Sequence, residues 1–174
     1  MNTKTLVSLS LLVGIGAALH FIIPGFFLGM KPDLMLVMMF LGIFLFTEKK
    51  NVLLLGVLTG VISGLTSTFP GGLLPNIIDK FITAFVVFFI FISLRHLKNS
   101  IYSVCVLTGV GTLISGAVFL GSALLISGLP GSFLALYTMV VLPAAALNIL
   151  AMAIIYPVVT NILRRTGYRT AVKH

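Results

Sequence analysis

Seven polar side chains stand out in a chain that has few: His20, Lys31, Asp33, Asn76, Asp79, Lys80 and Asn148. Two acids, two lysines, two amides and an imidazole can together hold a dipolar molecule. A carboxylate takes an ammonium, an ammonium takes a carboxylate, and the neutral donors fix orientation. Phe26, Phe27, Phe69 and Tyr137 lie in the adjoining stretches and offer aromatic faces, which suits a zwitterion with an apolar side chain. Concave sites with a few polar groups in an apolar lining commonly take this form.

Each residue also has a plainer role open to it. Asn76 followed by Asp79 reads as a helix N-cap with an acid at the third position, and Asp33 after Pro32 reads the same way. Asn148 could serve only as an interhelical hydrogen bond, and His20 as a satisfied structural imidazole. Lys31 and Lys80 could simply pair with the neighbouring Asp33 and Asp79, or anchor at headgroups.

The elements that must position these groups follow from composition. Hydrophobic residues make up 59% of the 174, charged residues 8%, and mean hydropathy is +1.23. Soluble domains carry about 25% charged residues, so a soluble core is excluded. A span needs about 20 apolar residues, which leaves room for about six or seven spans and for no separate catalytic domain. The pattern predicts an all-α integral membrane protein, a single domain over 1–174 with helices at about 5–23, 33–47, 52–68, 77–94, 102–127 and 144–163. Helix 2 is short for a full span, so it is expected to be little tilted or partly shielded by protein.

Charge sets the orientation. Of eleven Lys and Arg residues, nine fall in islands that six passes return to one side: Lys4, then Lys49 and Lys50, then Arg95 and Lys98, then Arg164, Arg165, Arg169 and Lys173. An excess of Lys and Arg marks the cytoplasmic side, so both termini are expected inside. The net charge of +8 is therefore a topology signal, with a possible part in holding anionic headgroups, and not a nucleic-acid surface. From Asn99 to Leu163 no charge occurs. Three spans fit by length but would strand four basic residues outside, so two are expected. Pro143 then opens helix 6, and residues 131–142 form a short helix or a re-entrant loop. The first apolar stretch has a signal-peptide flavour, but it ends in His20 and Pro24 without a clear cleavage site and is expected to be retained.

Small residues four apart mark packing faces: Gly56, Gly60 and Gly64 on helix 3, Thr108, Thr112 and Gly116 on helix 5, and Gly14 and Ala18 on helix 1. For helices 3 and 5 the partner is expected within the bundle; for helix 1 a separate protein is an alternative.

At 1.5 Å per residue, His20 lies about 5 Å and Asn148 about 6 Å below the outer ends of their helices. Asp33, Asn76, Asp79, Lys80, Thr83, Ser63, Thr66, Ser67 and Thr68 share that outer layer. A channel needs polar lining along its length, and a pump normally keeps ionisable groups near the midplane. An outward-facing pocket, over which the Gly-rich outer loops could close, fits better. The chain has no G-x-x-x-x-G-K-[ST], no H-E-x-x-H and no hydrolase-like Ser, His and Asp set, so no enzyme and no cofactor is expected. Cys105 is the sole cysteine and reads as a packed residue, with no disulfide or thiolate metal site.

The segments GIGAALH (14–20), MKPDLMLVMMFLGI (30–43), NVLLLGVLTGVISGLTSTFPGG (51–72), PNIIDK (75–80) and VLPAAALN (141–148) resemble the bacterial tryptophan transport family. That family is assigned to the substrate-binding (S) components of energy-coupling factor transporters. The resemblance implies a six-helix capture subunit in the bacterial plasma membrane, with tryptophan as substrate. It also implies a membrane coupling protein and two cytoplasmic ATPases as partners. In such systems an Ala-x-x-x-Ala patch on helix 1 meets the coupling protein. The matching position here reads Gly14-x-x-x-Ala18, or Val13-x-x-x-Ala17 in the other frame. Two other readings remain open: a stand-alone carrier driven by protons or sodium, and a membrane assembly subunit with no ligand.

Overall fold

The computed structural model of the chain describes residues 3–22, 33–94 and 100–165. Six helices carry these residues: α1 (Thr3–Ile22), α2 (Leu34–Leu45), α3 (Lys49–Leu65), α4 (Leu73–Ser93), α5 (Ile101–Ile126) and α6 (Phe133–Arg165). Four of them, α1, α4, α5 and α6, are long and apolar enough to cross a membrane. No strand occurs among the described residues.

α2 is the centre of the bundle. Its sequence, LMLVMMFLGIFL, has no polar side, and a helix that is hydrophobic all round is stable only when covered on every side. All twelve residues are buried, and the other five helices all pack on it. At 1.5 Å per residue it is about 18 Å long, against about 30 Å of hydrocarbon. The expected shielding of this short helix is thus complete: protein surrounds it.

α3 and α4 pack backbone to backbone because α3 presents glycine. A Cβ on Gly60 would stand 3.0 Å from the Ile77 Cα, and one on Gly64 would stand 2.8 Å from the Leu73 carbonyl oxygen. The glycine repeat on α3 therefore has its partner inside the chain, as expected. This approach fixes which face of α4 turns inward: Asn76, Asp79, Lys80, Thr83 and Val87 are all buried.

Two helix starts, those of α4 and α6, differ most from the sequence reading. α4 begins at Leu73, four residues before the expected start, with Gly72 at its N-cap. Pro75 sits in the first turn, where its missing N–H has no intrahelical partner to lose. Asn76 and Asp79 are therefore inside the helix and do not cap it. α6 begins at Phe133, capped by the Ser132 hydroxyl, which accepts from the Ala135 N–H. It includes most of the stretch expected as a short helix or re-entrant loop and runs on without a break through Pro143. The reason is a wide π turn at Tyr137–Val141, in which the Leu142 N–H bonds to the Tyr137 carbonyl. One extra residue in that turn re-registers the ladder just where Pro143 would otherwise break it.

The bundle has two unlike ends. Lys49, Lys50, Arg164 and Arg165 are exposed at one, and the interior beside them is closed by Phe44, Phe88, Phe91, Leu55, Met152 and Tyr156. Phe44 and Phe91 meet at a 4.8 Å centroid distance. The other end holds the polar residues.

Candidate functional site

The site starts from Asp33, the N-cap of α2. An aspartate there is favoured because its side chain satisfies an orphan helix N–H. Its Oδ1 accepts from the Leu36 N–H at 3.0 Å, which leaves Oδ2 to face α4. There the Lys80 Nζ donates to Asp33 Oδ2 at 2.9 Å and to Asp79 Oδ2 at 2.9 Å. Asp33 is thus both cap and ion-pair partner, and the two plain alternatives for Asp33 and Lys80 hold together.

Asp79 is saturated. Its Oδ1 accepts from the Thr83 hydroxyl at 2.9 Å, and its Oδ2 accepts from the Ser115 hydroxyl at 2.8 Å as well as from Lys80. The Asp79 side chain is 1% exposed and that of Lys80 3%, while Asp33 is 30% exposed. The cluster thus has a hidden half and an open half. Two carboxylates share one ammonium, and Asp33 is the more exposed of the two. The His20 Nδ1 lies 4.0 Å from Asp33 Oδ1.

Asn148 joins three helices. Its Oδ1 accepts from the Asp33 N–H at 2.8 Å, and its Nδ2 donates to the Thr112 hydroxyl at 3.1 Å. It is fully buried and also lines the cavity, so the interhelical bond and the pocket position belong to the same amide. Asn76 donates to the Gly72 carbonyl at 2.7 Å.

These groups enclose a cavity of about 220 Å³. That is below the roughly 300–1,000 Å³ of sites for drug-sized ligands, so it is the size for one small solute. His20, Asp33, Asn76, Asp79, Lys80 and Asn148 all line it. Lys31, Phe26 and Phe27 lie outside the described residues. Tyr137 is not in the lining: its ring stacks on Phe133, and its hydroxyl donates to the Leu113 carbonyl at 3.1 Å. The aromatic wall comes from Phe119, with Phe69 packed edge-on behind it at 5.3 Å.

Several lining residues escaped the sequence reading as candidates: Ser63, Ser67, Thr112, Ser115 and Phe119. The signal for them was spacing. Ser115 and Phe119 are four apart on α5 and share a helix face, whereas Ser67 lies just past the end of α3, on which Ser63 sits.

On α1, Gly14 and Ala18 are exposed, and a Cβ on Gly14 would meet nothing within 4 Å among the described residues. Val13 and Ala17 turn inward onto the core. Of the two frames, only Gly14-x-x-x-Ala18 faces outward.

Residues 2–164 match the family described as "Tryptophan transporter TrpP". The chain belongs to that family. A Bacillus subtilis (strain 168) relative named "Probable tryptophan transport protein" is 56% identical over 173 residues, covering 99% of this chain and 100% of its own length. Relatives of the same name from Clostridium acetobutylicum and Clostridium perfringens are 45% and 40% identical, covering 94% and 95% of this chain and 96% of their own lengths. No solved structure matches the chain. The family's members are named as transport proteins and not as enzymes, and with four apolar spans the chain is a multi-pass membrane protein.

Proposed function

We propose that the chain is the substrate-capture subunit for tryptophan uptake across the bacterial plasma membrane, binding L-tryptophan in the Asp33–Lys80–Asp79 cavity. The Asp33 carboxylate, 30% exposed in the cavity wall, supports this most directly, because it fits an α-ammonium. Lys80 and His20, on the same lining, face the carboxylate, and Phe119 faces the ring. The basic end is cytoplasmic, which puts the cavity on the outer side. Energy comes from a separate energy-coupling factor module, a membrane coupling protein with two cytoplasmic ATPases. The apolar packing below the cavity supports that division of labour, since among the described residues it holds no acid, Lys or His to carry a coupled ion.

The chain contains no tryptophan, so the emission of bound ligand can be followed directly. Titration of L-tryptophan into detergent-purified protein is expected to give saturable binding at one site per chain. A linear, unsaturable response would end the substrate reading. Uptake by the chain alone in liposomes, following an imposed proton or sodium gradient, would move the energetics to a stand-alone carrier.

Gly14 and Ala18 form the docking face for the coupling protein. Gly14→Leu is expected to leave tryptophan binding unchanged, since no described residue lies within 4 Å of a Cβ placed there. A bulky residue in a close helix contact costs about 1–3 kcal/mol, so docking should weaken about 5–150-fold and cellular uptake should fall with it. Normal uptake by that variant would place the coupling face elsewhere.

A further inference from the structure

We propose that the Ser63 hydroxyl reads the indole N–H of bound tryptophan, a specificity role that rests on the substrate reading above. Ser63 is 7% exposed, lies in the cavity wall, and its Oγ has no hydrogen-bond partner among the described residues. Its neighbours show how unusual that is. Thr59 and Thr66 on the same helix bond back to the Leu55 and Ile62 carbonyls, and Thr108 and Thr112 on α5 do the same to Val104 and Thr108. A buried hydroxyl without a partner is costly, so a ligand that supplies one gains affinity there.

The position selects which part of the ligand arrives. Gly60 and Gly64 flank Ser63 and touch α4 at Ile77 and Leu73, whereas Gly56 meets α4 at Lys80, so Ser63 stands nearly two turns nearer the helix end than Lys80. Phe119 lies one turn beyond Ser115 toward that same end of the bundle. The charged poles of a zwitterion are taken at Asp33 and Lys80, and its ring projects between Phe119 and Ser63. Indole nitrogen is a donor only, and a serine oxygen can accept from it. A site built to pair a substrate N–H rejects an isostere that lacks it, because the buried polar group is then left unpaired.

The test compares L-tryptophan with 3-benzothienyl-L-alanine, in which sulfur replaces the N–H, on the full purified chain as wild type, Ser63→Ala and Ser63→Thr. Wild type is expected to prefer tryptophan by about 5–150-fold. In Ser63→Ala the preference should shrink to about threefold or less, through weaker tryptophan binding alone, and Ser63→Thr should keep it. Equal binding of the two ligands by wild type overturns the proposal, as does a preference that survives in Ser63→Ala. Wild type that binds neither ligand fails the substrate reading itself, whereas wild type that binds both equally fails only the reading of the ring.

Discussion

Asp33→Asn is expected to weaken tryptophan binding by about 30-fold, corresponding to about 2 kcal/mol, while the protein still folds. The substitution keeps the shape and the cap, since asparagine serves as well as aspartate at a helix N-cap. It also keeps the backbone N–H that Asn148 accepts. It removes the carboxylate of the cluster that is more exposed to the cavity, and with it a negative charge. The figure stands at the low end for a charge pair because Asp33 is 30% exposed and water screens part of the interaction. Titration of the ligand's fluorescence measures it. Affinity equal to wild type would show that the ammonium binds elsewhere.

Lys80→Met is expected to cost more stability than any other single change in the cluster, about 3–5 kcal/mol, because it strips the counter-ion from two carboxylates at once. Asp79 is held at 1% exposure, so water screens its charge little. The distinguishing feature is the rescue. Adding Asp79→Asn to Lys80→Met removes the stranded charge and should recover a large part of the loss, although each change alone destabilises. Melting temperatures of the four proteins of this cycle, in detergent, decide it. Additive losses would mean that the pair is not coupled, against the 2.9 Å contact between them.

Much of the architecture is written in hydropathy and charge. Runs such as 73–93 and 101–126 have no competing fold, and the basic islands divide the chain into passes. The layer of polar residues was legible for the same reason, since depth follows from position in a helix of known rise. Partnership across the fold was not. Lys80 has Asp79 beside it in sequence, but Asp33, 47 residues away, is visible only once α2 is threaded through the centre. Small hydroxyls were equally opaque: Ser115 bonds to a carboxylate, Thr112 to its own helix, and Ser63 to nothing in the described chain. Sequence spacing does not tell these three apart. The start of α6 was misplaced because Pro143 looks like a helix opening, and only the π turn before it lets the helix pass through.

The short central helix has a consequence for how the protein is made. A rod of about 18 Å cannot rest across about 30 Å of lipid on its own, so α2 must enter the bilayer alongside a neighbour already emerging from the ribosome. Its leading carboxylate meets Lys80 only after another 47 residues have been made, and Asn148 later still. A nascent chain arrested before α4 therefore carries the start of the site without the lysine that joins its two carboxylates.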